Sequence, residues 1–458
     1  MEMAGWCKSP AQPSVHLLHA SGFWRLLVPI TTTMHPLCAR ACLLGTRPRL
    51  ALGLLALLAL ELGCGAAPSA PSLFVDPGVP HANFAGDMEL RWHGALNRRY
   101  RIESSTDLRT WRPEGQAIGL GRECRFVVKR RYVPPASDPA KPDPEVRKFW
   151  RLTPFDFDSD HDGTSDFDES RLGTDPFAGT RIPLRSEFVP FGLCLSNSNW
   201  SRTAAAQIEV CQSLGYTGYG LPSFGSEALL KSFADHPEVS SGRFRIHSAL
   251  WWASINDTFD WATIDKRLAQ AARMHMAVWM VVAGTKATED IEKAYTILKT
   301  TARHCAAQRA KLVLYPHEGT TFVSATEART LLLRLRADPE LSDAEKACCS
   351  ISIHLCHELK AGNGAGIAEV VAAVAPYCTL ASVSGAEADT RTRGGWTSGI
   401  RPLDQGNYDV RPFLQALADA GYTGPMEYHT YNLPDPKYDD HLERTLIRWR
   451  QLVAPPAP

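Results

Sequence analysis

From residue 188 onward the chain alternates short apolar runs with longer stretches in which apolar residues recur every three or four positions. The first pattern suits a strand buried on both faces and the second a helix with one buried stripe; together they read as a parallel sheet wrapped by helices. Strand-like runs fall at 189–195, 218–221, 245–250, 277–282, 311–315, 349–354, 379–384 and 424–431. Helical patterns follow them, for example at 203–214, 287–304, 367–375 and 409–420. Eight such units predict an α/β fold, a closed (β/α)8 TIM barrel over residues 186–455.

Ahead of the barrel the period changes from helical to alternating. Residues 88–92, 100–104, 124–128 and 149–152 alternate apolar and polar side chains, which predicts a small all-β sandwich over 72–154. Trp92, Trp111 and Trp150 read as its core rather than as carbohydrate-stacking platforms, because an indole is a large apolar body most often found inside. Residues 155–180 form the link to the barrel and carry Asp158-x-Asp160-x-Asp162-Gly163-x-Ser165-Asp166-x-x-Glu169. The spacing suits one hard cation: carboxylates converge from one loop, a glycine permits the sharp turn, and the last glutamate can chelate with both oxygens. Asp158, Asp160, Asp162, Asp166 and Glu169 are therefore assigned to Ca²⁺ in preference to a merely solvated acidic linker.

Residues 1–71 are of a third kind. The run 50–60 is almost wholly Leu, Ala and Gly, follows Arg40, Arg47 and Arg49, and is far shorter than a bilayer span. It reads as an export signal, with Met34 a natural start for it. Leu62-Gly63-Cys64 resembles a lipoprotein cleavage site, which would lipidate Cys64; plain secretion with cleavage within 66–70 is the other reading. The expected location is thus periplasmic, cell-surface or secreted, with membrane contact only through Cys64. Across all 458 residues, 49 Lys and Arg balance 49 Asp and Glu, so no net field draws in nucleic acid. The cysteines show no metal-knuckle spacing, and no disulfide is assigned.

In a barrel of this kind the functional residues sit at the carboxyl ends of the strands. Those ends carry Trp251 and Trp252 after the third run, Tyr315, His317 and Glu318 at the fifth, His354, His357 and Glu358 at the sixth, and Glu427 and His429 at the eighth. Four histidines thus converge from three strands. Single histidines in such places often only hydrogen-bond locally or bind substrate hydroxyls. Four unpaired imidazoles buried together would have no structural benefit, which favours metal binding or catalysis.

The motifs Leu314-Tyr315-Pro316-His317-Glu318-Gly319, His354-Leu355-Cys356-His357-Glu358-Leu359-Lys360, Ser382-Val383-Ser384-Gly385-Ala386-Glu387, Pro402-Leu403-Asp404-Gln405-Gly406-Asn407-Tyr408-Asp409 and Gly421-Tyr422-Thr423-Gly424-Pro425 resemble those of sugar phosphate isomerase/epimerase-type, xylose isomerase-like barrels. The resemblance implies a divalent metal held by Glu, Asp, His and Glu, with carboxylates moving a proton beside a sugar carbonyl. This chain departs from that ligand set: Tyr315 stands for the first Glu, His354 for the Asp, Ser382 or Ser384 near the His, and His429 for the last Glu. His317, His354, His357 and His429 remain as metal ligands, a set that prefers zinc or another transition ion such as manganese over magnesium. Glu318, His357 and His429 are the catalytic candidates, and Trp251, Trp252, Tyr315, His317 and Arg401 the substrate-binding ones. The implied activity is isomerisation, epimerisation or keto-sugar elimination of a small sugar. The competing reading is a catalytically inactive barrel that binds carbohydrate or serves as a scaffold. The two preceding segments resemble a fibronectin-type accessory module and a single thrombospondin type 3 repeat. Oligomeric state is left open.

Overall fold

The computed structural model describes residues 16–20, 23–27, 73–76, 88–128, 149–162, 164–178, 182–192, 202–392, 396–433 and 440–453. The apolar run 50–60 and Cys64 lie outside them. Among the described residues no helix is long and apolar enough to cross a membrane.

A hairpin of β1 (His16–Ala20) and β2 (Phe23–Leu27) comes first. Two three-stranded antiparallel sheets follow. One orders β3 (Leu73–Asp76), β4 (Met88–His93) and β7 (Glu123–Val128); the other orders β6 (Arg112–Ile118), β5 (Arg99–Ser105) and β8 (Phe149–Phe155). Alternation does the packing: Leu90, Trp92, Tyr100, Ile102, Phe126, Trp150 and Leu152 from both sheets share one buried cluster. Trp111 lies outside that cluster and carries the Arg151 guanidinium 4.3 Å from its ring centroid.

The barrel closes as expected from eight parallel strands in chain order: β9 (Phe188–Phe191), β10 (Gly218–Leu221), β11 (Arg245–Ser254), β12 (Ala277–Ala283), β13 (Lys311–Leu314), β14 (Cys349–His354), β15 (Cys378–Val383) and β16 (Met426–His429), with β16 pairing back onto β9. Strand side chains pointing outward meet the helices in one continuous core, while Phe191, Trp279, Val281, Val313, Tyr315 and Leu380 form a second cluster.

The third strand is longer than its sequence pattern suggested. It stays paired with β12 as far as Ser254↔Ala283, so Trp251 and Trp252 belong to the strand rather than to the loop after it. Neighbouring strand residues point to opposite faces. Trp251 packs on Phe224, Phe259 and Trp261, and Trp252 stands edge-on to His317 with centroids 4.7 Å apart.

The loop holding the most family-like motif has a second role. Ile118 N donates to Asp404 O at 3.0 Å and Gly406 N to Gln116 O at 3.1 Å, so the loop adds to the edge of β6 as a short antiparallel bridge. This edge-to-edge pairing joins the β-rich segment to the barrel.

Candidate functional site

The end of β14 runs straight into helix Leu355–Ala361, so His354, Cys356 and His357 come from one strand-to-helix corner. All three are buried, and their ligand atoms lie within 4.8 Å of one another. The end of β13 brings Tyr315 and His317, and the last residue of β16 is His429. Ring centroids are 4.1 Å apart for His317 and His357, 4.6 Å for His354 and His357, and 4.5 Å for His354 and His429. The four histidines expected at the mouth form one contiguous cluster.

Stacking sets its floor. Trp279 donates its indole N–H to Ser352 Oγ at 2.6 Å and lies flat beneath Tyr315, 3.9 Å between centroids at 13°. Tyr315 in turn lies nearly parallel to His354, at 4° with centroids 5.5 Å apart. The half-exposed rim is aromatic: Trp252 on one side, and on the other Trp396, 4.8 Å from His357 and carrying Lys360 at 5.6 Å.

The hydrogen bonds assign the protons. Glu318 N donates to His357 Nδ1 at 3.3 Å, so His357 carries its proton on Nε2 and donates it to Tyr315 Oη at 3.0 Å. Tyr431 N donates to His429 Nδ1 at 3.1 Å, leaving an N–H at His429 Nε2. His317 donates from Nδ1 to Glu318 O at 2.7 Å, which leaves the Nε2 lone pair open. His354 Nδ1 is 3.3 Å from Cys356 Sγ, and its Nε2 is buried with no hydrogen-bond partner among the described residues.

Burial decides the charge of the cluster. Loss of water, reinforced by the neighbouring imidazoles, holds His354 and His357 well below the usual histidine range. The same loss of water brings His429 down to about 3 and His317 to about 4. All four are neutral at pH 7, the state in which imidazole ligates a metal. One layer down, Glu427 is fully buried, accepts from Ser248 Oγ at 2.5 Å, and is pushed up to about 8 by desolvation, so it is a neutral acid. Gly220 makes room for it: a Cβ there would lie 2.6 Å from Glu427 Oε1.

The donor set fits a transition ion. His354 Nε2 is a buried polar atom lacking a partner, His317 Nε2 offers a free lone pair, and the Cys356 thiol adds a soft donor. No carboxylate belongs to this group, which argues against magnesium.

The other assigned residues are placed differently. The Glu318 side chain is exposed at the rim; only its backbone engages the cluster. Trp251 faces the helices. Arg401 lies 3.0 Å from Glu387, donates to Glu114 O at 3.1 Å and sits over Phe126, which puts it at the joint with the β-rich segment. Trp279, Ser352 and Trp396 were not singled out from sequence; the first two sit within apolar strand runs that carry no chemical signal.

In the linker, Asp158, Asp160 and Asp162 each offer an oxygen within 4.8 Å of the others, while Gly163 lies outside the described residues. Glu169 is buried, and Asp166 accepts from the Ser159 backbone N–H and hydroxyl, both at 2.7 Å.

No family model and no curated protein matches this chain. Solved structures similar to it include a 3-keto-D-glucoside 4-epimerase from E. coli, 11% identical, covering 57% of this chain and 99% of that one, TM-score 0.43. A D-allulose 3-epimerase from Methylomonas sp. is 18% identical over 59% of this chain and 93% of its own, TM-score 0.40. A xylose isomerase-like TIM barrel protein from Mycobacterium smegmatis in complex with magnesium is 15% identical over 59% and 98%, TM-score 0.38.

Proposed function

We propose that the barrel is a sugar isomerase or epimerase, or a related keto-sugar lyase, that removes a proton beside a sugar carbonyl with help from a transition metal. The observation that carries this reading is the group of four neutral imidazoles at the carboxyl ends of the strands, one of them with a buried, unpartnered ring nitrogen. His354 and His317, through their open Nε2 lone pairs, and Cys356 would hold the metal, zinc or manganese, with His357 and His429, whose Nδ1 atoms accept backbone hydrogen bonds, beside them; when bound it would polarise the sugar carbonyl.

The chain's own groups supply the rest. Trp252 and Trp396 offer apolar faces to a sugar ring at the rim, and Tyr315, whose hydroxyl burial keeps protonated, has its own proton to give while it accepts from His357. Glu318 and the cluster imidazoles take up and return the substrate proton. Export, by a removed signal or a lipid on Cys64, and a calcium-stiffened linker between a fibronectin-like module and the barrel complete the proposal.

The test is metal analysis of the purified full chain, followed by deuterium exchange from solvent into ketoses and 3-keto-glycosides. Bound transition metal and exchange lost on chelation are expected. A metal-free chain that exchanges nothing, yet binds a sugar equally well before and after chelation, would leave the inactive binding module in its place.

A further inference from the structure

Away from the histidines, the joint between the β-rich segment, the loop 402–411 and the last helix, His441–Val453, forms a partly open cavity of about 70 Å³. Arg99, Arg411 and Arg448 all line it. A water molecule needs roughly 10–15 Å³ of such space, so the cavity holds about five waters or one small polyatomic ion.

Its guanidiniums are poorly matched by the protein. Arg448 is only 6% exposed, and its contacts among the described residues are a 3.2 Å hydrogen bond to Gln451 Oε1 and the Phe177 ring. Arg99 lies over Phe157 at 3.7 Å, and its buried Nε has no hydrogen-bond partner. Neither has a carboxylate within ion-pair distance among the described residues. Asp409 and Asp404, which also line the cavity, are held by Arg411 and, at 3.1 Å, by Arg444, while Asp166, which both guanidiniums feel from beyond ion-pair distance, accepts from Ser159. Burial, with the like charge of Arg411, brings Arg99 down to about 10, and burial with the like charges of Arg99 and Arg411 does the same to Arg448, against the opposing pull of Asp166 on both.

We infer that this cavity is a binding site for a compact oxyanion, held by Arg99 and Arg448 with Arg411 at its edge. Three observations support it: two largely desolvated guanidiniums with no carboxylate at ion-pair distance among the described residues, a small, partly open space between them, and the forked donor geometry of arginine, which matches the oxygens of a carboxylate, sulfate or phosphate. An ion bound there would tie together three parts of the chain. Arg99 comes from β5, Arg411 grips both Asp409 and the carbonyl of Ser159 in the acidic linker at 2.6 Å, and Arg448 belongs to the helix that closes the barrel.

The experiment titrates the full-length chain calorimetrically with sulfate, inorganic phosphate and acetate, against chloride at matched ionic strength. Binding heat is read because sulfate raises melting temperatures of many proteins by exclusion alone. One saturable site for an oxyanion and none for chloride is expected; preference for sulfate or phosphate over acetate would mark a tetrahedral ligand, the reverse a carboxylate. Arg99→Gln, chosen because Arg99 belongs to none of the apolar clusters, should weaken binding at least tenfold with unchanged near-ultraviolet circular dichroism. No saturable heat in the unmodified chain, heat equal to that with chloride, or full affinity in R99Q would overturn the assignment.

Discussion

His354 and His429 face each other across the barrel mouth, ring centroids 4.5 Å apart and planes inclined by 60°, both buried. A proton added to either ring puts a charge into a dry site whose nearest neighbours are further imidazoles. The cluster therefore resists protonation until the fold gives way.

The consequence is acid sensitivity of the metal-free chain. His317 and His429 are brought down to about 4 and about 3, and His354 and His357 lie well below their usual value, whereas the unfolded chain takes up these protons near pH 6.5. Their destabilising effect is absent above that value and grows as pH falls from it toward the folded values, by at most about 1.4 kcal/mol per pH unit for each imidazole. Denaturant unfolding in chelator from pH 7.5 to pH 5 should show the slope, and His429→Gln should reduce it by about one proton. An unchanged slope in H429Q would refute the account.

Glu427 works in the opposite direction. Its folded value is raised to about 8, so its favourable contribution is full below the unfolded value near 4.5 and is lost as pH rises through about 8. Glu427→Gln keeps an acceptor for Ser248 without the ionisation. The variant should gain stability relative to the native chain between pH 5 and pH 8, by about 1–3 kcal/mol at the upper end. A difference that does not grow with pH would show that Glu427 is ionised in the fold.

Gly220→Ala tests the packing around the same carboxyl group. The added methyl meets Glu427 Oε1 at 2.6 Å and Cδ at 2.8 Å, an overpacked contact worth about 1–3 kcal/mol of stability. In the background of Glu427→Ala most of that cost should vanish. A double-mutant cycle with no coupling would place the strain elsewhere.

Tyr315→Phe removes the acceptor for His357 Nε2–H without changing the stack on Trp279. The orphaned buried donor should cost about 1–3 kcal/mol, and solvent exchange into sugar substrates should fall with it. Full stability in Y315F would mean that the His357 proton lies elsewhere.

Calcium is expected to order the acidic linker. With EGTA, limited proteolysis should cut between residues 155 and 180 while the barrel stays intact, and Asp160→Ala with Glu169→Ala should behave like the chelated chain. Equal cleavage with and without calcium leaves a plain acidic linker.

The barrel was legible in the amino-acid order because it is a local, repeating pattern: each run that a strand buries on both faces is followed by a helix whose stripe covers it. That Tyr315, His317, His354, His357 and His429 gather at the barrel mouth was legible for the same reason, since the ends of the apolar runs mark the carboxyl ends of the strands. Other matters were not local. Whether Trp251 or Trp252 reaches the mouth depends on how far β11 pairs with β12, because one residue of strand reverses a side chain. That Arg401 and the loop around Asp404 meet the β-rich segment, that Gly220 accommodates Glu427, and that Arg99 and Arg448 line one cavity all involve residues far apart in the chain. Periodicity encodes which face of an element is buried; which partner it is buried against, and hence which nitrogen or guanidinium goes unpaired, was decided only when the strands closed and the segments docked.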